Sequence, residues 1–260
     1  MNSRLRQLLI GAVAVALVMS GMALSRTWSQ QPAEMLKTTG LFLVDKDGNN
    51  RGWFGLTGEG TCTLALLRAD GDPRLSLNVT SDGIPSVSLF GAAPTSRATL
   101  RLDDQGNVGL TLASPDGKDR LKLGVAGDTP GLGLLDESGS VLGSFGIQDG
   151  ACLLGFTTAE GDVRLAVGTD AEGLPSVSLY GEADSLRAEL AVGADGNTRL
   201  SMHNREGEGG LVLGLIPNLG PALSFHDKDG KTRLSAVLNE QAGPGMSMQD
   251  QDGSETWSAP

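Results

Sequence analysis

A unit of about 23 residues repeats from Leu41 to the C-terminus, and this period constrains the fold more than any other feature of the chain. Units begin at Leu41, Leu64, Val87, Leu110, Leu132, Leu154, Val177, Leu200, Leu223 and Met246, and each opens apolar-x-apolar. Most then reach an acidic turn with glycine, such as Asp45-Lys46-Asp47-Gly48, Asp116-Gly117 or Asp229-Gly230. An arginine often stands three residues after that glycine, as Arg51, Arg74, Arg120, Arg164 and Arg233 do. Serial units of this kind make one quasi-linear body in which each touches mainly its neighbours, so domain counting from length does not apply.

A longer period lies above the short one. Asp45-Lys46-Asp47-Gly48 returns as Asp136-Glu137-Ser138-Gly139 and again as Asp227-Lys228-Asp229-Gly230, at steps of 91 residues. Gly83 to Gly91 matches Gly173 to Gly181. This is the mark of a duplicated four-unit block, with a partial third copy and no linker between copies. The units starting at Leu110 and Leu132 are each one residue short. A deletion inside a strand would flip its faces, so the missing residue is expected to come out of a turn.

Within a unit the apolar residues alternate. Positions 1 and 3 are apolar, then usually 14 and 16, as in Leu77 and Val79 or Leu190 and Val192. A period of two gives strands with one apolar and one polar face. The fold class is therefore all-β: about ten two-strand units, arranged as an antiparallel hairpin array or as a β-solenoid with one coil per unit. A hairpin centred between positions 8 and 9 would set position 3 opposite 14 and position 1 opposite 16. Leucine and valine are expected to turn inward and the Gly-Asp corners outward. A single open sheet would leave a leucine face uncovered, so it must curl, close into a ring or meet another chain. In length alone the unit resembles that of MORN hairpin arrays, whose aromatic-glycine signature is absent.

Residues 1–24 form a separate N-terminal segment. Arg4 and Arg6 precede an apolar run from Leu8 to Leu24, 17 residues long, at the short end of the roughly 17–25 that span a bilayer as a helix. Two readings stand. An uncleaved anchor would keep its basic end in the cytoplasm, with Trp28 near the outer interface. A signal peptide would be cut near Gly21-Met22-Ala23 or Ala23-Leu24-Ser25. Either places residues 41–260 outside the cytoplasm, membrane-anchored in the first case and secreted in the second, and the overall pattern has a bacterial look. Residues 25–40 read as a polar connector.

The formal net charge is −11, and subtracting the +3 of Arg4, Arg6 and Arg26 leaves −14 on everything after residue 30. An acidic body of this kind argues against nucleic acid and anionic membrane surfaces as partners. The expected partners are the membrane, through the N-terminal helix, and further copies of the chain, with a protein or glycan partner undetermined. Cys62 and Cys152 occupy equivalent places four units apart. That separation is too great for the roughly 7 Å that a disulfide bridges, unless the array closes into a ring.

Motifs of catalysis are missing. His203 and His226 are the only histidines and fit no metal or triad spacing. The Asp-x-Asp-Gly turns begin like a calcium loop but lack its later ligands, so turn chemistry is the simpler reading. The recurrent arginine is either a ladder for carboxylated glycans or a partner for neighbouring acidic turns. No catalytic, cofactor-binding or metal residue is assigned. The expected role is structural, adhesive or scaffolding and not enzymatic. The alternative is a ligand-binding, lectin-like module, in one form a closed propeller.

Overall fold

The computed structural model describes residues 37–92, 94–217, 220–239 and 243–260. The apolar run expected to form an N-terminal helix lies outside these residues. Among the described residues no helix is long and apolar enough to cross a membrane.

Residues 40–260 form twenty strands. The first ten are β1 (Gly40–Val44), β2 (Asn50–Leu56), β3 (Cys62–Leu67), β4 (Pro73–Val79), β5 (Pro85–Phe90), β6 (Ser96–Leu102), β7 (Val108–Ala113), β8 (Asp119–Ala126), β9 (Thr129–Leu135) and β10 (Val141–Gln148). Then follow β11 (Ala151–Thr157), β12 (Val163–Thr169), β13 (Pro175–Tyr180), β14 (Leu186–Val192), β15 (Thr198–His203), β16 (Gly210–Ile216), β17 (Gly220–His226), β18 (Thr232–Asn239), β19 (Gly243–Gln249) and β20 (Glu255–Ala259). Each strand pairs antiparallel with the next in sequence, from β1–β2 through β19–β20. Among the described residues the only helical element is one 3-10 turn, Glu182–Asp184. The architecture is a hairpin array, one continuous meander. Among the described residues parallel coils are not seen, and neither is a closed ring or propeller, since β1 and β20 do not pair.

Two kinds of junction alternate. An even strand joins the following odd strand without register shift. An odd strand joins the following even strand through a bulge in every hairpin except β15–β16. The bulged residue is Arg51, Arg74, Arg97, Arg120, Arg164, Arg187 or Arg233, with Leu142 and Thr256 at the remaining two places. The arginine of the repeat is therefore the extra residue of a β-bulge.

The turns explain both the glycines and the bulges. In the β1–β2 turn Gly48 N–H donates to Asp45 O at 3.0 Å and Asp45 N–H to Asn49 O at 3.0 Å. Gly48 has φ 84°. This is a type I turn closed by a left-handed residue, the three-residue hairpin loop in which glycine avoids the Cβ penalty. The short units lose their residue where expected. Gly127-Asp128 and Asp149-Gly150 form two-residue loops, with Ala126 opposite Thr129 and Gln148 opposite Ala151.

The register differs from expectation by two residues. Leu64 lies opposite Leu77 and Leu66 opposite Leu75, so position 1 faces 14. The turn over Arg68–Asp72 sits earlier than assumed, and Arg74 adds its bulge. An even slip leaves every side chain on its own face, so the assignment of faces survives.

The inward placement of leucine does not hold. Among the described residues Ala65 is the one buried hydrophobic side chain, whereas Leu66 is 47% exposed and Leu190 48%. Buried instead are Thr63, Ser76, Ser88, Ser178 and Ser201. Substantial contact between strands runs only between sequence neighbours. In such a single layer a small side chain is shielded down in the pleat by its taller neighbours, and a leucine stands clear above it.

Candidate interaction surface

Following partners from strand to strand reveals an unbroken apolar row across all twenty strands. It begins Leu41, Phe54, Leu64, Leu77, Val87, Leu100 and ends Leu213, Leu223, Ala236, Met246, Ala259, each residue directly opposite the next. A second row on the same face runs from Leu43 through Leu66, Leu75 and Leu89 to Leu234, Met248 and Trp257. It carries small residues at Gly52, Ala98, Gly143 and Ala188, on β2, β6, β10 and β14. Neither row contains a charged or hydrogen-bonding side chain, apart from the Trp257 indole. A third row alongside holds Leu56, Cys62, Val79, Val108 and Val125, and is interrupted by hydroxyls at Thr169 and Thr198. At strand spacings of about 4.8 Å and residue steps of about 6.8 Å, the band is roughly 91 Å long and 14 Å wide. Two apolar grooves lie on it, one of about 440 Å³ around Leu64, Leu77 and Val87 and one of about 500 Å³ around Leu223, Met246 and Trp257.

Beyond the stacked Phe42–Trp53 pair at its start, the opposite face is mostly small and polar. Its central row includes Ala65, Ser76, Ser88, Thr99 and Thr111, and later Ser224, Ser235, Ser247 and Ser258. Hydroxyls bond across strands here, Ser235 to Ser247 at 2.9 Å and Ser88 to Thr99 at 3.3 Å.

The bulge arginines lie two residues from this central row, and six of the seven reach the next hairpin. Arg97 Nε donates to Ala113 O at 2.8 Å and Arg51 Nε to Leu67 O at 3.4 Å. Arg120, Arg164 and Arg187 reach Asp136 O, Gly181 O and Asn204 O in the same way. Arg233 donates to Gln251 O at 3.3 Å and also grips the Asp227 carboxylate. The guanidinium thus ties one hairpin to its successor, which accounts for the arginine ladder without a ligand.

The acidic turns are similarly occupied. Asp45 Oδ1 accepts the N–H groups of Asp47 and Asn49, both at 3.0 Å. Asp103, Asp136, Asp170, Asp227 and Asp250 repeat the arrangement, and Asn204 does so with an amide oxygen. The Asn49 N–H holds the Asp45 carboxyl below its ordinary 3.8, and the Asn107 amide does the same for Asp103. At Asp136 the main cause is the Ser138 hydroxyl. Burial pushes Asp227 upward, but the Lys231 N–H and Arg233 outweigh it and the net shift is downward. These carboxylates close turns.

His203 and His226 both stand on the serine face, on either side of Gly210. His226 Nε2 is 2.8 Å from Ser224 Oγ, and its Nδ1 is 3.4 Å from the Gly230 carbonyl. A serine two residues from a histidine in a strand was the available sequence signal. The ring thus ties Ser224 to the turn at Gly230. Among the described residues no group of three or more His, Cys, Asp or Glu is placed to hold a metal ion. Cys62 and Cys152 are free thiols on β3 and β11, eight strands apart.

No known protein family's profile matches the chain, and no curated protein matches it. A solved structure of the Tc holotoxin pore of Photorhabdus luminescens aligns at 10% identity with a TM-score of 0.17. The alignment covers 89% of this chain and 16% of that one, and a likeness of this degree carries no argument.

Proposed function

We propose that this is a non-enzymatic, membrane-tethered, extracytoplasmic repeat protein with a structural, adhesive or scaffolding role. The observation that supports it is the apolar band, two unbroken rows that no described residue covers along the array. A surface of this size is a place of assembly. Its sheet spends its arginines and aspartates on holding turns and hairpins together. The band itself is not a bilayer surface. The strands are 5–8 residues long, against the roughly 9–11 of membrane-spanning strands and an apolar belt about 25 Å tall. Tethering falls to the N-terminal apolar run. Fractionation tests the reading. The full chain should sediment with membranes, and protease should digest residues 41–260, in intact cells if the body is on the cell surface or once the outer membrane is opened if it is periplasmic, with the cytoplasmic membrane still sealed. Recovery of a protected body in the cytosol would contradict it.

A further inference from the structure

We propose that two copies of the chain pack apolar face on apolar face, as a two-layer sandwich with the serine faces outward. This rests on the assembly reading and names its partner, a second copy of the chain. A band of roughly 91 Å by 14 Å on each copy would remove about 2,500 Å² from water in a pair, within the roughly 2,000–5,000 Å² of obligate homodimers. The apolar run of residues 8–24 would reach about 26 Å as a helix, under a third of that length. A full cover must be another long, flat band without charge, and the two rows are such a band. Two acidic bodies can therefore meet on this face without burying a charge.

The relief of the two rows fixes how the copies face. Gly52 and Gly143, the glycines of the second row, share β2 and β10 with Phe54 and Phe145, the only phenylalanines of the first. Neither glycine has a positive φ. A Cβ would meet its own chain no closer than 3.4 Å at Gly52 and 3.6 Å at Gly143. Nor does the bulge beside each need glycine, since Leu75, Leu121, Leu165 and Leu234 follow the same bulge. A strand glycine without a cause in its own sheet marks the close approach of something else. Phe54 and Phe145 are 53% and 52% exposed, so they do not lie down in the hollows beside them. A two-fold axis along the array, midway between the rows, sets each strand over its counterpart and the first row over the second. The partner's Phe54 and the partner's Phe145 then enter the hollows at Gly52 and Gly143. The alanines of the rows obey the same rule. Ala98, Ala188, Ala236 and Ala259 share strands with Leu100, Leu190, Leu234 and Trp257, so no small residue faces another. On β18 the order is exchanged, with Leu234 in the second row and Ala236 in the first. The contact is isologous and closes at two copies.

Spin-label distances in the full-length protein, reconstituted at low density in lipid vesicles with Cys62→Ser and Cys152→Ser as background, test the proposal. One variant carries a label at Arg101→Cys on β6 and another at Ser258→Cys on β20, both exposed on the outward face. With the sheets about 10 Å apart, each label should lie roughly 20–30 Å from its counterpart at both sites. Copies stacked in reversed order would put the counterparts nine and nineteen strands apart, roughly 43 Å and 91 Å, and would overturn the proposal. Gly143→Leu fills a hollow and should weaken pairing more than tenfold. Gly143→Leu/Phe145→Ala, the arrangement natural on β18, should restore it. Unchanged pairing in Gly143→Leu would overturn the proposal. Circular dichroism checks that both variants fold, and if either does not, the label distances decide. Uncoupled labels in a chain that still fractionates outside the cytoplasm would overturn the pair and leave the assembly reading in place.

Discussion

Arg97 on β6 donates from Nε to the carbonyl oxygen of Ala113 on β7, at 2.8 Å. Arg97 is the bulged residue of the β5–β6 hairpin and Ala113 ends the first strand of the next one. The bulge and the tie between hairpins are thus one device. Replacing Arg97 by alanine leaves that carbonyl without its charged donor and should cost about 1–2 kcal/mol. Denaturant unfolding measures the loss. Hydrogen exchange should place it in β5 to β8, because a linear array transmits strain only to near neighbours.

Turn carboxylates give the array an acid limit. The folded values of Asp45, Asp103 and Asp136 lie below the ordinary 3.8. A lowered carboxyl contributes its stability in full above that ordinary value and loses it as pH falls through the folded value. Thermal midpoints should be level from pH 7 to about 5 and fall steeply below about 4. Asp103→Asn keeps an acceptor oxygen, as Asn204 does naturally, and should weaken the acid dependence. Thr80→Ala removes the neutral acceptor of the Ile84 N–H at 3.0 Å, and should cost about 1 kcal/mol at every pH. A midpoint that does not respond to acid would count against carboxylate-closed turns.

Two glycines should separate backbone strain from collision. Gly48 has φ 84° and open space around a notional Cβ, so Gly48→Ala meets only the left-handed penalty, about 1 kcal/mol. At Gly168, which has no positive φ, a Cβ would fall 2.0 Å from Cys152 O, so Gly168→Ala must force β11 and β12 apart. Circular dichroism melts should show a small shift for the first and a large one, or failure to fold, for the second.

Cys62 and Cys152 should remain separate. Eight strands at about 4.8 Å each put them roughly 38 Å apart along the sheet, beyond any disulfide. Alkylation under native, non-reducing conditions should label both thiols. An intrachain bridge would require the ends of the array to come together.

Much of the fold was legible because a period of two and a period of 23 are both written in Leu, Gly and Asp. The turn residues, the loss of one residue from a turn in each of the two short units, and the apolar set all followed from spacing. The bulge at Arg74 did not, because a bulge leaves alternation intact and moves only the partner opposite. Nor did exposure of the leucines: alternation defines two faces and is silent on which one a neighbour covers. The role of Arg97 was hidden because its acceptor is a backbone carbonyl 16 residues away, which no side-chain motif marks.

The order of strands is tested most directly by nuclear magnetic resonance contacts around Leu77. Leu77 should show close cross-strand contacts to Leu64 on one side and Val87 on the other, with Leu64 and Val87 about 9.6 Å apart across it. Direct neighbouring of Leu64 and Val87 at about 4.8 Å would mean parallel coils stacked one unit apart, and would contradict the antiparallel meander.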